Sequence, residues 1–179
     1  EGNGQTELIE VVAGLRPSTS GRMTTPPPSQ VAHIPEDRQR RGLVASFSTA
    51  ENLALGRHRE RAFGPCGWLR PAAVRAAGQA IIHEADIRPS DPDMPVLNLS
   101  GGNQQKVVVA RELGRNPRLL IAAQPTRGVD IGAVEAIRER VLRARDQGAA
   151  VLLISADLDE ILALSDRIVV LYRGRVVGQ

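Results

Sequence analysis

Three short segments hold residue types suited to phosphate chemistry. Gly2-Asn3-Gly4-Gln5-Thr6 stands directly before a run with helical spacing. Glycines there let successive backbone N–H groups curl toward one anion, and the following helix adds the positive end of its dipole. The usual phosphate loop ends Gly-Lys-Ser/Thr. Here Gln5 holds the lysine position, while Thr6 keeps a hydroxyl able to reach a magnesium ion. The second segment, Leu99-Ser100-Gly101-Gly102-Asn103-Gln104-Gln105-Lys106, presents a hydroxyl and free amides at another helix start. The third, Gln124-Pro125-Thr126-Arg127-Gly128-Val129-Asp130, follows the apolar run Leu119–Ala123, so a buried strand would deliver it to the end of a sheet. Each has a plainer reading: a Gly-Asn-Gly turn leading into a helix, a serine N-cap, and an ordinary strand-to-turn junction. The string Leu99–Lys106 holds more information than a cap requires.

Elements able to position these segments follow from periodicity. Leu8, Val11, Val12 and Leu15 recur at helical spacing over Thr6–Leu15, with Pro17 as the stop. Ser18–Ser29 reads as loop with at most a short strand near Met23, and Val31–Ile34 as a strand closed by Pro35. Thr49 is the expected N-cap of a helix through Leu55. Arg57–Trp68 is a connector, Pro71–Ala85 a helix, and Arg88–Pro95 a loop. From Ser100 the rhythm becomes regular: helices over about Gly102–Arg115 and Ala133–Arg145, strands at Leu119–Ala123 and Val151–Ile154, and a short helix Leu158–Leu164. A third strand, Ile168–Tyr172, turns at Arg173-Gly174 into Val176–Val177. Apolar strands alternating with helices predict a mostly parallel sheet covered on both faces. The mainly helical segment Leu43–Leu97 interrupts that rhythm and reads as an insertion.

Composition narrows the function classes. The 179 residues are 42% hydrophobic, enough for a core, and the 23 basic and 20 acidic side chains leave a net charge of only +3, too small to mark a nucleic-acid binder. Aromatics make up 2% of the chain, which leaves almost nothing for stacking bases. One cysteine, Cys66, excludes an internal disulfide and reads as filler in a connector. His33, His58 and His83 lack ligand spacing. The apolar run Ala149–Ile154 is far short of a membrane span, and no signal segment opens the chain.

In this order, over essentially all of the chain, the segments resemble the ATP-binding cassette (ABC) family. Leu99–Lys106 resembles the family's signature in the form used by bacterial importers of simple sugars and nucleosides. Ile34-Pro35-Glu36-Asp37-Arg38, Arg41-Gly42-Leu43, Thr49–Leu53 and Gln124–Asp130 resemble the second of two cassettes fused in those ATPase subunits, and Arg88–Pro95 is most similar to the nucleoside-linked branch. The resemblance implies an α/β fold: a P-loop NTPase (RecA-like) core over 1–42 and 98–179, with an inserted α-helical subdomain over 43–97 that docks on a membrane permease. It also implies truncation at the N-terminus, Glu1 being the expected cut end of a longer polypeptide.

Roles carried across by that resemblance give an uneven site. Gly2, Asn3, Gly4, Gln5 and Thr6 match the family's phosphate loop, with Thr6 as a weak magnesium ligand. Gln5 replaces the lysine that meets the β- and γ-phosphates, Ala123 the aspartate that orders magnesium's water shell, and Gln124 the catalytic glutamate. Glu36 replaces a glutamine and Ala156 a histidine facing the γ-phosphate. The local site is therefore expected to bind ATP weakly and hydrolyse it poorly. The signature Ser100, Gly101, Gly102 and Asn103 is intact, and in this family it completes the nucleotide site of a partner cassette, with Asp130 crossing the same interface. The resemblance thus implies ATP and Mg2+ held mainly at the partner site. It implies as partners the first cassette, a permease and, indirectly, a solute-binding protein, with no nucleic acid, at the cytoplasmic face of the bacterial inner membrane. Arg38, Arg40 and Arg41 read either as partners for acidic permease residues or as a solvated basic loop. Two other classes stay open: a cassette of a soluble, transport-independent ABC protein, and an inert module that binds nucleotide for assembly alone.

Overall fold

The computed structural model describes residues 2–64 and 68–179; Cys66 lies outside them, as does Glu1. Strands β1 (Val31–Ile34), β2 (Leu119–Ala123) and β3 (Ala150–Ile154) form a parallel sheet in the order β1-β2-β3. Val31 pairs with Leu119 and Ile34 with Ala122, while Leu119 pairs with Ala150 and Ala123 with Ile154. This register brings the three strands to their C-terminal ends side by side. Ligands of open parallel sheets bind outside that end.

Successive side chains of a strand face opposite ways, and the sheet uses both faces. Ala32, Ile34, Leu120 and Ala122 pack with Val107 and Val108 of α4 (Gly101–Leu113) and Ile137 and Val141 of α5 (Ile131–Asp146). Ile121 and Ala123 face the other way, against Ile9 of α1 (Gln5–Val12). Covering on both faces explains why β2 is a continuous apolar run. Among the described residues the remaining α-helices are α2 (Thr49–Ala54), α3 (Pro71–Glu84) and α6 (Leu158–Leu164). The helices α2 and α3 pack on each other through Ala50, Ala54 and Val74 around the buried Phe63.

Local structure departs from the sequence reading in a few places. Among the described residues, no strand forms near Met23. The N-cap of α2 is Ser48 rather than Thr49: Ser48 Oγ accepts the Glu51 N–H, and Glu51 Oε2 accepts the Ser48 N–H, a reciprocal capping box. Thr49 is buried instead and donates its hydroxyl to the Met94 carbonyl. The last strands, β4 (Val170–Tyr172) and β5 (Arg175–Gly178), pair with each other antiparallel and do not join the parallel sheet. A groove of about 450 Å³ lined by Leu152, Ile154, Leu164 and Leu171 runs between β3 and that hairpin. The hairpin turn uses positive φ at Arg173 and Gly174, which matches the twist of the flanking strands.

Candidate functional site

The loops that leave β1, β2 and β3 carry Glu36, Gln124 and Ala156, and they are tied together at one end of the sheet. Gln124 donates its N–H to the Ile154 carbonyl at 2.7 Å, while its side-chain Oε1 accepts the Ala156 N–H at 3.2 Å. Gln124 reaches both groups from a left-handed backbone, φ 49°. Glu36 forms an ion pair with Arg127, so the loops after β1 and β2 are bridged as well. Thr126 donates its hydroxyl at 2.8 Å to Glu160, a fully buried carboxylate on α6. A cleft of about 770 Å³ opens here, lined by Thr6, His33, Glu36, Arg41, Ala123 and Arg127. Burial pushes the His33 imidazole below the usual histidine range; Glu112 pulls it back up and Arg41 adds to the depression.

Glycine is required in the phosphate loop, where φ is 80° at Gly2 and 99° at Gly4. Gly4 is the N-cap of α1, and no side chain caps that helix. Gln5, however, turns back on the loop: its Oε1 accepts the Asn3 N–H at 3.0 Å. Asn3 is further held by the hairpin turn, its carbonyl accepting from the Gly174 N–H at 2.8 Å and its Oδ1 from the Arg173 N–H at 3.0 Å. Thr6 is exposed at the edge of the cleft. Ala123 is only 2% exposed and belongs to the apolar cluster with Ile9 and Ile121. Ala123, the last residue of β2, thus offers a magnesium ion no oxygen ligand.

At the signature, Ser100 is the N-cap of α4, its Oγ accepting from the Asn103 N–H at 3.4 Å and from Asn103 Nδ2 at 2.9 Å. Asn103 Oδ1 in turn accepts the Arg88 N–H at 2.8 Å. The glycine pair is explained by crowding. A Cβ on Gly101 would lie 2.7 Å from Arg38 Nη2 and 3.0 Å from the Gly128 carbonyl, and one on Gly102 would lie 2.6 Å from Asp130 Oδ2. Asp130 caps α5 by accepting the Ala133 N–H at 3.0 Å, so within this chain it has a role that needs no partner. Ser100 is exposed, and the signature residues are not among those lining the cleft beside Thr6. Arg38 donates Nη1 to the Arg127 carbonyl at 2.9 Å and Nη2 to the Gly128 carbonyl at 3.3 Å, contacts within this chain that the sequence reading did not include. Arg41 reaches Glu10 at 3.5 Å. Neither contact was readable from the sequence, since the partners lie far apart in the chain.

Residues 1–127 match the ABC transporter family. The chain belongs to that family. It is 44% identical over 190 positions to the guanosine import ATP-binding protein NupO of Bacillus subtilis, a match covering 99% of this chain and 37% of NupO. It is 40% identical over 187 positions to the ribose import ATP-binding protein RbsA of Geobacillus kaustophilus, covering 98% of this chain and 37% of RbsA. The chain therefore spans little more than a third of the length of these curated relatives. The structure also superposes on the dimeric, post-hydrolysis ATP-binding cassette MJ0796 bound to ADP and Pi, with a TM-score of 0.80 at 20% identity, over 98% of this chain and 79% of that one. At that identity the likeness establishes the fold, a P-loop NTPase cassette with a parallel sheet between helices. Among the described residues of this ABC cassette, no helix is long and apolar enough to cross a membrane.

Proposed function

We propose that this chain is the second cassette of an importer's ATP-binding subunit, and that it serves catalysis through its signature more than through its own phosphate loop. In this reading 1–42 and 98–179 form the nucleotide-binding core and 43–97 the helical subdomain that meets a permease at the cytoplasmic face of the bacterial inner membrane. Ser100, Gly101, Gly102 and Asn103 contact ATP held, with Mg2+, by a first cassette in the same polypeptide, and Asp130 lies at the same interface. Gly2–Thr6 form a weak local site lacking a general base, because Gln124 cannot take a proton from attacking water; a positioned base is worth roughly 10²–10⁴ in rate. The solute is a nucleoside or a simple sugar delivered through a solute-binding protein.

The observation that carries this reading is the contrast between the two helix starts. At α1 the residue in the lysine position is folded onto its own loop, Gln5 Oε1 on the Asn3 N–H, and the aspartate position holds only the methyl of Ala123, packed with Ile9 and Ile121 at the cleft wall. At α4 the signature is complete and its serine is exposed. The chain itself can orient a phosphate at Gly2–Thr6 through backbone amides, but a neutral amide there supplies about 0.5–1.5 kcal/mol, against about 1.5–3 for a hydrogen bond from a charged group. The test is steady-state ATPase of the complete subunit assembled with its permease. Ser100→Ala is expected to lower the rate at least roughly tenfold, the scale of one lost transition-state donor or more, while Thr6→Ala leaves most of it. Equal loss in both variants, or none in Ser100→Ala, would overturn the asymmetry; the second result would favour the inert nucleotide-binding module.

A further inference from the structure

The turn that follows β2 is held by side chains from two directions, through its carbonyls. Gln105 of α4, 1% exposed, donates Nε2 to the Pro125 carbonyl at 2.7 Å. Arg38, from the helical turn Arg38–Gly42 after β1, donates Nη1 to the Arg127 carbonyl at 2.9 Å and Nη2 to the Gly128 carbonyl at 3.3 Å. The same guanidinium lies against Gly101, 2.7 Å from where a Cβ would stand, and the Gly128 carbonyl closes on that point at 3.0 Å. From the loop after β1, one planar cation therefore reaches two other segments: the turn after β2 and the first residue of α4 beside Ser100. Gln39 adds a second tie from the same loop, donating Nε2 to Gln104 Oε1 at 3.4 Å. Arginine suits this place because its rigid fork can serve two carbonyls at once, whereas a lysine ammonium is a single point on a flexible stem.

We propose that Arg38 is a positioning residue for the signature: docked on the Arg127 and Gly128 carbonyls and against Gly101, it fixes Ser100–Gly102 and the turn Gln124–Asp130 in one arrangement. Removing the guanidinium frees two carbonyls and opens a space under Gly101, so the start of α4 and the turn lose their common reference. The functional half of this inference rests on the reading of Ser100 as a contact to nucleotide at a partner site. Its structural half does not.

The experiment uses the complete subunit with its permease and the variants Arg38→Ala, Arg38→Lys and Ser100→Ala. Hydrogen exchange reads the structural half: in Arg38→Ala, amides of residues 101–104 and 128–134 are expected to exchange faster together, while α3 is unchanged. ATPase kinetics read the functional half. Arg38→Ala is expected to lower kcat roughly tenfold with the KM for ATP altered less than about twofold, the pattern of a misaligned rather than an unbound site. Arg38→Lys is not expected to rescue it. Wild-type kcat in Arg38→Ala, or full rescue by lysine, overturns the positioning role. If Ser100→Ala keeps full activity, the signature reading fails, and exchange alone then decides: joint loosening of the two segments upholds the clamp, and unchanged protection overturns it.

Discussion

At the start of α1 no side chain caps the helix, and the loop before it is held by Gln5 on the Asn3 N–H and by the hairpin turn on Asn3. At the start of α4, Ser100 caps the helix, and the glycines after it are pressed between Arg38 and Asp130. Both are glycine-bearing helix starts in one chain, yet they are built to different degrees of rigidity. The start of α1 is held by one local bond, Gln5 on Asn3, and by one distant segment, the β4–β5 hairpin turn. The start of α4 is joined to the loop after β1, the turn after β2 and the N-cap of α5. Precise placement follows from many cross-links between segments, so the signature is the better organised of the two surfaces.

The contrast is tested most severely at Ala123. If the aspartate position has truly been absorbed into the core with Ile9 and Ile121, Ala123→Asp must bury an unpartnered carboxylate. The expected cost is about 3–5 kcal/mol, read as a lowered denaturant midpoint of the purified protein. Ala123 also borders the cleft, so a neutral effect would mean that a carboxylate there turns out of the apolar cluster toward that space and that the α1 side is readier for a metal than its packing indicates.

A smaller effect separates the braces themselves. Asp130→Ala removes the cap of α5 and the carboxylate that crowds Gly102, and should cost about 1 kcal/mol. Gln5→Ala removes one local bond between residues two apart and should cost no more than about 0.5 kcal/mol. Urea titrations of the two variants measure the difference. Equal losses would erase the distinction in rigidity between the two helix starts.

How much of this was readable from sequence depends on the range of the interaction. Periodicity located the five helices α1 and α3–α6 and all three parallel strands within a few residues, because the apolar faces of β2, α4 and α5 are set by local pattern. The cap of α2 was placed one residue late, although Ser48 followed three residues on by Glu51 was the available signal. The β4–β5 hairpin was legible as two strands joined by a tight turn at Arg173-Gly174, but its separation from the parallel sheet was not, since an apolar run does not say which edge it will join. The motifs themselves were legible as strings. What the altered residues do now was not: Gln124 reaching the Ala156 amide and Arg38 reaching Arg127 and Gly128 are contacts between segments that only the folded chain brings together.

The smallest expected effect is one of pH, and it belongs to the cleft on the α1 side. His33 on β1 lines that cleft; burial lowers its pKa most, Arg41 lowers it further, and Glu112 opposes both. Its unfolded-state value is near 6.5, so the folded value lies below that. Between the two values the unfolded chain binds more protons, and stability rises with pH in that window. The contribution of His33 is therefore fully present above about pH 6.5 and is lost as the pH falls through the unfolded value toward the folded one. Unfolding curves from pH 7 down to pH 5 should show wild type losing stability more steeply than His33→Gln, with the two slopes converging above pH 7. Parallel curves across the whole range would mean that the imidazole is solvated, and the cleft wall at β1 would then be as open as the exposed Thr6 across from it.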